Sequence, residues 1–313
     1  MCEGRKRVSG CECEAGAPCD DVRTTATREA GVANACAAVD ASALRCADGA
    51  DAESCEVMDV ALAHRLCDLT SEFYRANAES FSQTRQTAWQ GWARVLQAAG
   101  IAGGAERLRV LDLACGNLRF ERYVAQQLPE VPLTCYAVDN CGSLVESACA
   151  EGLPRVTFQK LNVIDALAAG NLTAALDAAS ASCDLAVSFG FMHHVPLECW
   201  RVELLRALAS RVRPGGHVAV SFWRFLNSDK LAKKARDTTA HAQADLGIPK
   251  LPPNDFLLGW QDTRGPYRYC HHFDEREIDR LLNAVADVAS PIARFSADGK
   301  TGNLNEYVVL QVR

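Results

Sequence analysis

The chain has no run approaching the roughly 18 to 20 apolar residues that cross a bilayer, and its first residues, MCEGRKRVSGCECEAG, have no apolar segment after the charged stretch. A spanning helix and a secretory leader are therefore not expected, and the sequence reads as a soluble, cytoplasmic protein with no membrane partner. An excess of basic charge is also missing. Residues 1–60 hold 12 acids and 6 bases, which accounts for the whole net charge of −6; the remainder has 27 of each and is neutral. A strongly basic surface, the electrostatic footprint of non-specific nucleic-acid binding, is thus absent as an overall property, although a local patch is not.

Cysteine is abundant, at 15 residues, but the arrangement that would make it a framework is lacking. The odd total and the missing leader argue against a secreted disulfide scaffold. Cys2, Cys11, Cys13, Cys19, Cys36, Cys46 and Cys55 include no paired C-x-x-C, and no histidine precedes His64, so no metal site is expected there. Residues 1–57 are rich in Ala, Asp, Glu, Gly and Cys, with almost no aromatics and no lasting period. They read as a disordered extension in which EAGVANACAAVDASAL forms at most a transient helix.

From residue 58 to residue 313 the pattern is that of one folded domain. VMDVALAHRLCDLTSEFYRANAESF and TAWQGWARVLQAAG place apolar residues at helical spacing, which predicts two helices before the first strand. Strand-like runs then alternate with helical ones: LRVLDLAC, LTCYAVD, VTFQKLNV, CDLAVSFG and GGHVAVSFW are the strands, with helices such as RFERYVAQQL, GSLVESACAEG and LECWRVELLRALASRV between them. Two late strands near IARFSA and NEYVVLQV complete a doubly wound, mostly parallel, seven-stranded α/β sheet, whose ligands belong at the carboxyl ends of the strands. The alternation breaks at about 224–272, where a helical piece, DKLAKKARDTTAHAQADLG, and a Pro-rich loop suggest an inserted lid. Asp274 and Glu277 then have the spacing of a capping box, with Phe273 as its hydrophobic staple.

The turn after the first strand lacks the G-x-G-x-x-G of a pyrophosphate site; only Gly116 stands in Ala114-Cys115-Gly116-Asn117-Leu118. Asp112 just before it would repel a phosphate but suits an ammonium group, and Asp139 ends the next strand 27 residues later, where a carboxylate can take both ribose hydroxyls. An amino acid and a ribose on one ligand point to S-adenosylmethionine.

In VLDLACGNLRF, YAVDN, FQKLNVIDAL, DLAVSFGFMHHV and LRALASRVRPGGHVAVSFW, which together cover roughly 108–223, the chain resembles the class I S-adenosylmethionine-dependent methyltransferases. That resemblance implies a Rossmann-like fold, an enzyme, and a cofactor site of Asp112, Ala114, Gly116, Asp139, Asn140, Asn162, Val163 and Phe189, with Asn162 and Val163 beside adenine. Ala114 and Leu118 stand where the family usually has glycine. Alanine is accommodated if its φ is negative; Leu118 is expected to narrow the turn, and a non-catalytic partner protein with a blocked cofactor site is the reading that follows if it closes it. His193 or His194 offers a general base, or else packs the strand end.

A narrower resemblance, to the tRNA wobble-uridine carboxymethyl methyltransferases, is carried by ANAESFSQTRQTAW, NDFLLGW, RYCHHF and DGKTGNLNEYVVLQ. It implies methyl-ester formation on a carboxymethyl uridine of tRNA; whether a small activator subunit is a partner, as for eukaryotic members of that family, the sequence leaves open. It makes Arg85 and Arg268 candidates to hold a carboxylate or phosphate, and Trp260, Tyr269 and His271 lid residues able to stack a base. Gly259 replaces the family's proline and Cys270 an aromatic. Lys230, Lys233, Lys234 and Arg236 either touch phosphates or form an ordinary solvated face. A small-molecule carboxylate, hydroxyl or amine as acceptor is the alternative reading.

Overall fold

The computed structural model describes residues 58–84, 86–101, 105–142, 145, 153, 155–260 and 265–313. The expected extension over 1–57, Arg85, and most of the helix expected over GSLVESACAEG lie outside them.

Two helices, α1 (Val60–Gln83) and α2 (Gln90–Ala98), precede the sheet as their spacing predicts. The second ends on Gly100, whose φ of +64° suits glycine, while Ile101 N donates back to Leu96 O at 2.9 Å. Strands β1 (Leu108–Leu113), β2 (Leu133–Asp139), β3 (Arg155–Lys160), β4 (Cys183–Ser188) and β5 (Val212–Trp223) follow, connected through α3 (Arg119–Gln127), the short α4 (Val163–Ala168) and α5 (Leu172–Ala175), and α6 (Glu198–Ser210). After α7 (Asp229–Leu246) come β6 (Asp255–Leu258), β7 (Arg268–His271), α8 (Glu275–Asn283), β8 (Ala289–Ala297) and β9 (Asn305–Val312).

Seven strands form one sheet in the order β3-β2-β1-β4-β5-β9-β8. The first five run parallel and β9 is antiparallel to both neighbours. The expected doubly wound sheet is therefore present, and its connections reverse direction between β1 and β4, so a crevice opens at their carboxyl ends. Side chains alternate across the sheet as its pleat requires. Leu111 and Leu113 of β1, Val218 and Val220 of β5, and Val308 and Leu310 of β9 share one apolar cluster. Leu108, Val110, Ala219 and Val309 join the other, on the opposite face.

The segment expected as helix plus loop differs in one respect. Residues 255–258 and 268–271 form an antiparallel hairpin, β6–β7, separate from the main sheet. Short strands beside two prolines carry little periodicity, and pairing rather than pattern makes them strands. The hairpin is bound into the body: Leu257 and Tyr269 are fully buried, Tyr269 N donates to Thr70 Oγ1 of α1 at 3.0 Å, and Leu257 N donates to Thr239 Oγ1 of α7 at 2.9 Å.

The capping box forms by half. Glu277 N donates to Asp274 Oδ1 at 2.8 Å, and Phe273 is fully buried. The Glu277 carboxylate instead accepts from Arg201 Nη1 at 2.5 Å and faces His271 Nε2 at 2.7 Å. His271 Nδ1 meets Asp255 Oδ1 at 2.6 Å, and Tyr269 Oη donates to the same oxygen at 2.5 Å. This buried ionic network ties α6, α8 and the hairpin together.

Candidate active site

Over the tips of β1, β2 and β4 lies a cavity of about 500 Å³. Its floor is the turn after β1, anchored where Ala114 N and Cys115 N donate to Val138 O at 2.8 and 3.1 Å. Ala114, Gly116 and Leu118 all have positive φ, at 66°, 57° and 56°. The alanine is therefore strained rather than relaxed, contrary to the negative φ its tolerance presupposed. Leu118 does not close the turn: its side chain is fully buried with Cys115, Ala137 and Val145, away from the cavity wall. A methyl placed on Gly116 would meet nothing within 4 Å, so open space lies over the turn for a ligand to enter.

Asp139 is fixed by two backbone amides. Its Oδ2 accepts from Gly116 N and its Oδ1 from Cys141 N, both at 2.9 Å, which turns the carboxylate along the cavity wall. Burial raises its pKa, and the amides of Cys141, Gly116 and Asn140 offset only part of the rise. Asn140, Asn162, Val163 and Phe189 share the wall. Asn162 caps α4 through Oδ1, with Ile164 N at 3.2 Å, so its side-chain oxygen is engaged by the helix start.

Asp112 takes a place other than the one expected. It is buried below the turn and is not on the cavity wall, because strand alternation puts it on the face of Val110, beside Glu121 of α3. Burial, then the charges of Glu121 and Asp139, holds its carboxyl well above the usual range, and burial pushes Glu121 up to about 7. Asp112 and Glu121 lie together beneath the turn, and Asp112 is not among the residues of the cavity wall.

Beyond the cofactor turn the wall is formed by Tyr74, His193, His194, Trp223 and Arg268. Arg268 is buried, with its guanidinium carbon 4.6 Å from the Phe73 ring centre. Burial opposes its charge, but Tyr74 and Cys270 more than offset this and raise its pKa. His193 packs 4.9 Å from Trp223 and 4.1 Å from His194, ring centre to ring centre. Its neighbour His194 is committed to Tyr269 O and Tyr74 Oη, which makes it a structural histidine rather than a base.

Two expected lid residues face elsewhere. Tyr269 and His271 are buried in the ionic network, so neither is available to stack a base. Trp260 packs T-shaped with Phe73 at 6.3 Å between ring centres and is not among the residues of the cavity wall. On α7, Lys233 pairs with Asp237 at 2.5 Å, so the basic cluster is partly neutralised within its own helix. Among the described residues, the donors close enough to share a metal are those of His193, His194 and Cys270, within 4.8 Å; His194 is bound to a carbonyl and Cys270 to Arg268.

The sequence reading did not single out Tyr74, Asn117, Arg119 or Asp298, all of which line the cavity. Asn117 Nδ2 donates to Ser82 Oγ at 3.1 Å and joins the turn to the end of α1. Asp298 accepts from Gly91 N, Asn305 Nδ2 and Tyr307 Oη at 3.2, 2.8 and 2.6 Å. This docks α2 so closely that a methyl on Gly91 would lie 2.2 Å from the Tyr307 ring. The Gly-Asn-rich turn around Asp298 signalled a tight loop, but no local pattern reports which cavity it enters.

Comparison with known proteins matches residues 62–285 to a methyltransferase domain family. The mouse protein tRNA (carboxymethyluridine(34)-5-O)-methyltransferase ALKBH8 is 32% identical over 152 residues, which is 49% of this chain and 19% of the mouse protein. The match thus spans about one fifth of that relative. Similar solved structures include a SAM-dependent methyltransferase from Methanosarcina mazei, at a TM-score of 0.48 and 19% identity over 66% of this chain and 92% of that one. Another is the N-methyltransferase NodS of Bradyrhizobium japonicum in complex with S-adenosyl-L-homocysteine, at a TM-score of 0.44 and 10% identity over 71% and 86%. Among the described residues no helix is long and apolar enough to cross a membrane. The family match covers most of the chain, and the chain belongs to the methyltransferase domain family.

Proposed function

We propose that this enzyme forms a methyl ester on the carboxymethyl group of a modified wobble uridine in tRNA. The observation that carries the reading is Arg268, a buried guanidinium on the cavity wall beyond the cofactor turn, where an acceptor's carboxylate would lie. Similarity to the mouse tRNA methyltransferase over half of this chain supports it.

S-adenosylmethionine supplies an already activated methyl on sulfur. The residues here need only bind, align and exclude water. Asp139 holds the ribose, Asn162 and Val163 flank the adenine, and the open space over Gly116 admits the methionine part. A carboxylate is deprotonated at neutral pH, so no base is required, consistent with a packed His193 and a committed His194. With that cofactor held by Asp139, Asn162 and Val163, a carboxylate oxygen of the acceptor beside Arg268 would take its methyl, the sulfur leaving with the bond's electrons. The negative acceptor and the positive sulfonium cancel to a neutral ester and a neutral thioether. Because charge disappears along the reaction, an enclosed, poorly solvated cavity favours it. Arg268 is a catalytic residue in this scheme: it holds the second oxygen, binds the anionic substrate more strongly than the neutral product, and thereby assists release.

The test is tRNA from cells lacking the gene, digested to nucleosides and weighed by mass spectrometry. The reading expects the wobble methyl ester to vanish and the free carboxymethyl form to accumulate. An unchanged ester contradicts it and leaves a small carboxylate metabolite as the acceptor.

A further inference from the structure

Arg268 does not stand on the cavity wall by itself; it belongs to a closed loop of hydrogen bonds that the transfer chemistry leaves unused. The main-chain oxygen of Tyr269 can only accept, so its 2.7 Å contact with His194 Nδ1 fixes a proton on that nitrogen. The other ring nitrogen, Nε2, lies 2.9 Å from Tyr74 Oη and, in the neutral ring, accepts the phenolic proton. Tyr74 is thereby left with oxygen lone pairs for Arg268, whose guanidinium carbon lies 6.0 Å from the Tyr74 ring centre and whose charge is favoured by the Tyr74 hydroxyl and the Cys270 sulfur. Donor direction is consistent throughout, from Arg268 to Tyr74 to His194 to Tyr269 O.

The loop starts and finishes on adjacent residues of β7, having crossed α1 and the turn after β4. Thr70, one helical turn before Tyr74, accepts from Tyr269 N at 3.0 Å and docks the same face of α1 onto the same strand. Tyr74, His194 and Arg268 all reach the cavity wall. An arginine has many rotamers, and one held in place before the acceptor arrives loses little freedom on binding it. A carboxylate is read by charge and by a planar pair of oxygens, both of which depend on how the guanidinium is turned.

We propose that Tyr74 and His194 are positioning residues that hold the Arg268 fork toward the acceptor and so give the site its preference for a carboxylate over the corresponding neutral amide. This rests on the acceptor reading above. The experiment titrates the full-length protein, saturated with S-adenosylhomocysteine, with an anticodon stem-loop bearing 5-carboxymethyluridine and with its carbamoylmethyl counterpart. The wild type should bind the carboxylate at least about tenfold more tightly. Tyr74→Phe should lose most of that preference while its affinity for S-adenosylhomocysteine stays within about twofold, and turnover should show a raised KM with little change in kcat. Retained preference in Y74F overturns the proposal, as does parallel weakening of cofactor and both stem-loops.

If the wild type binds neither stem-loop, the tRNA reading has failed, and the relay is judged on its own by 15N NMR of the His194 ring. An Nδ1-protonated neutral ring that shifts in Y74F sustains the relay. An Nε2-protonated ring, or one indifferent to Y74F, overturns it.

Discussion

The cofactor half of the cavity and the acceptor half are built in different ways. At the cofactor end, Asp139 is oriented by amides 2 and 23 residues away in sequence, and each functional group sits at the tip of a strand or on the turn leaving it. At the acceptor end, Tyr74 and His194 are 120 residues apart, and His194 and the Tyr269 carbonyl a further 75. One half is assembled by the sheet itself. The other comes together only when α1 and the β6–β7 hairpin have packed, so the two halves should fail separately when perturbed.

The largest expected effect is on the frame of the acceptor half. Glu277→Gln removes the carboxylate that faces Arg201 and His271 and leaves buried charge uncompensated, which should cost about 3 kcal/mol or more in urea unfolding. The pH dependence follows from the same group. Burial pushes the Glu277 pKa up, but His271 and Arg201 pull it further down, to a net value below its ordinary one. Its contribution is therefore complete above the unfolded value of about 4.3 and is lost as pH falls through the lower folded value. The acid limb of a stability–pH curve should be steeper for the wild type than for E277Q.

Next is the cofactor half. Under the proposed reading, Asp139→Asn should weaken S-adenosylhomocysteine binding about 100-fold by calorimetry, roughly 3 kcal/mol, and, because an amide can accept from only one of the Gly116 and Cys141 N–H groups, should also lower the melting temperature of the apo protein. Arg268→Lys keeps the charge but not the fork. It should raise the acceptor KM about tenfold and leave cofactor affinity alone, which separates the halves directly. The smallest effect is Ala114→Gly, which relieves a left-handed alanine and should stabilise the fold by about 0.5–1 kcal/mol in thermal unfolding. A loss of stability there would mean that the methyl packs against something the turn requires.

This division also explains what could be read from sequence. The sheet was legible because buried parallel strands are continuous apolar runs, and the place of Asp139 at the cavity because it ends one of them. The hairpin was not: Asp255–Leu258 and Arg268–His271 are too short for alternation to register, and what defines them is pairing to one another. His271 read as a lid residue from its neighbours in sequence, yet Asp255 and Glu277, which claim both of its ring nitrogens, are set by tertiary packing. Asp112 misled for a subtler reason. A strand-end acid has two faces to choose from, and strand alternation puts Asp112 on the face of Val110, off the cavity wall. Tyr74 and Thr70 share a helical face, but nothing local indicates that β7 covers it.

The most direct test of the central claim is methyl transfer from labelled S-adenosylmethionine to the 5-carboxymethyluridine stem-loop, followed by mild alkali. The account predicts incorporation that is released as methanol, as only an ester allows. Label that survives the alkali, or that appears equally on a stem-loop with unmodified uridine, would contradict it.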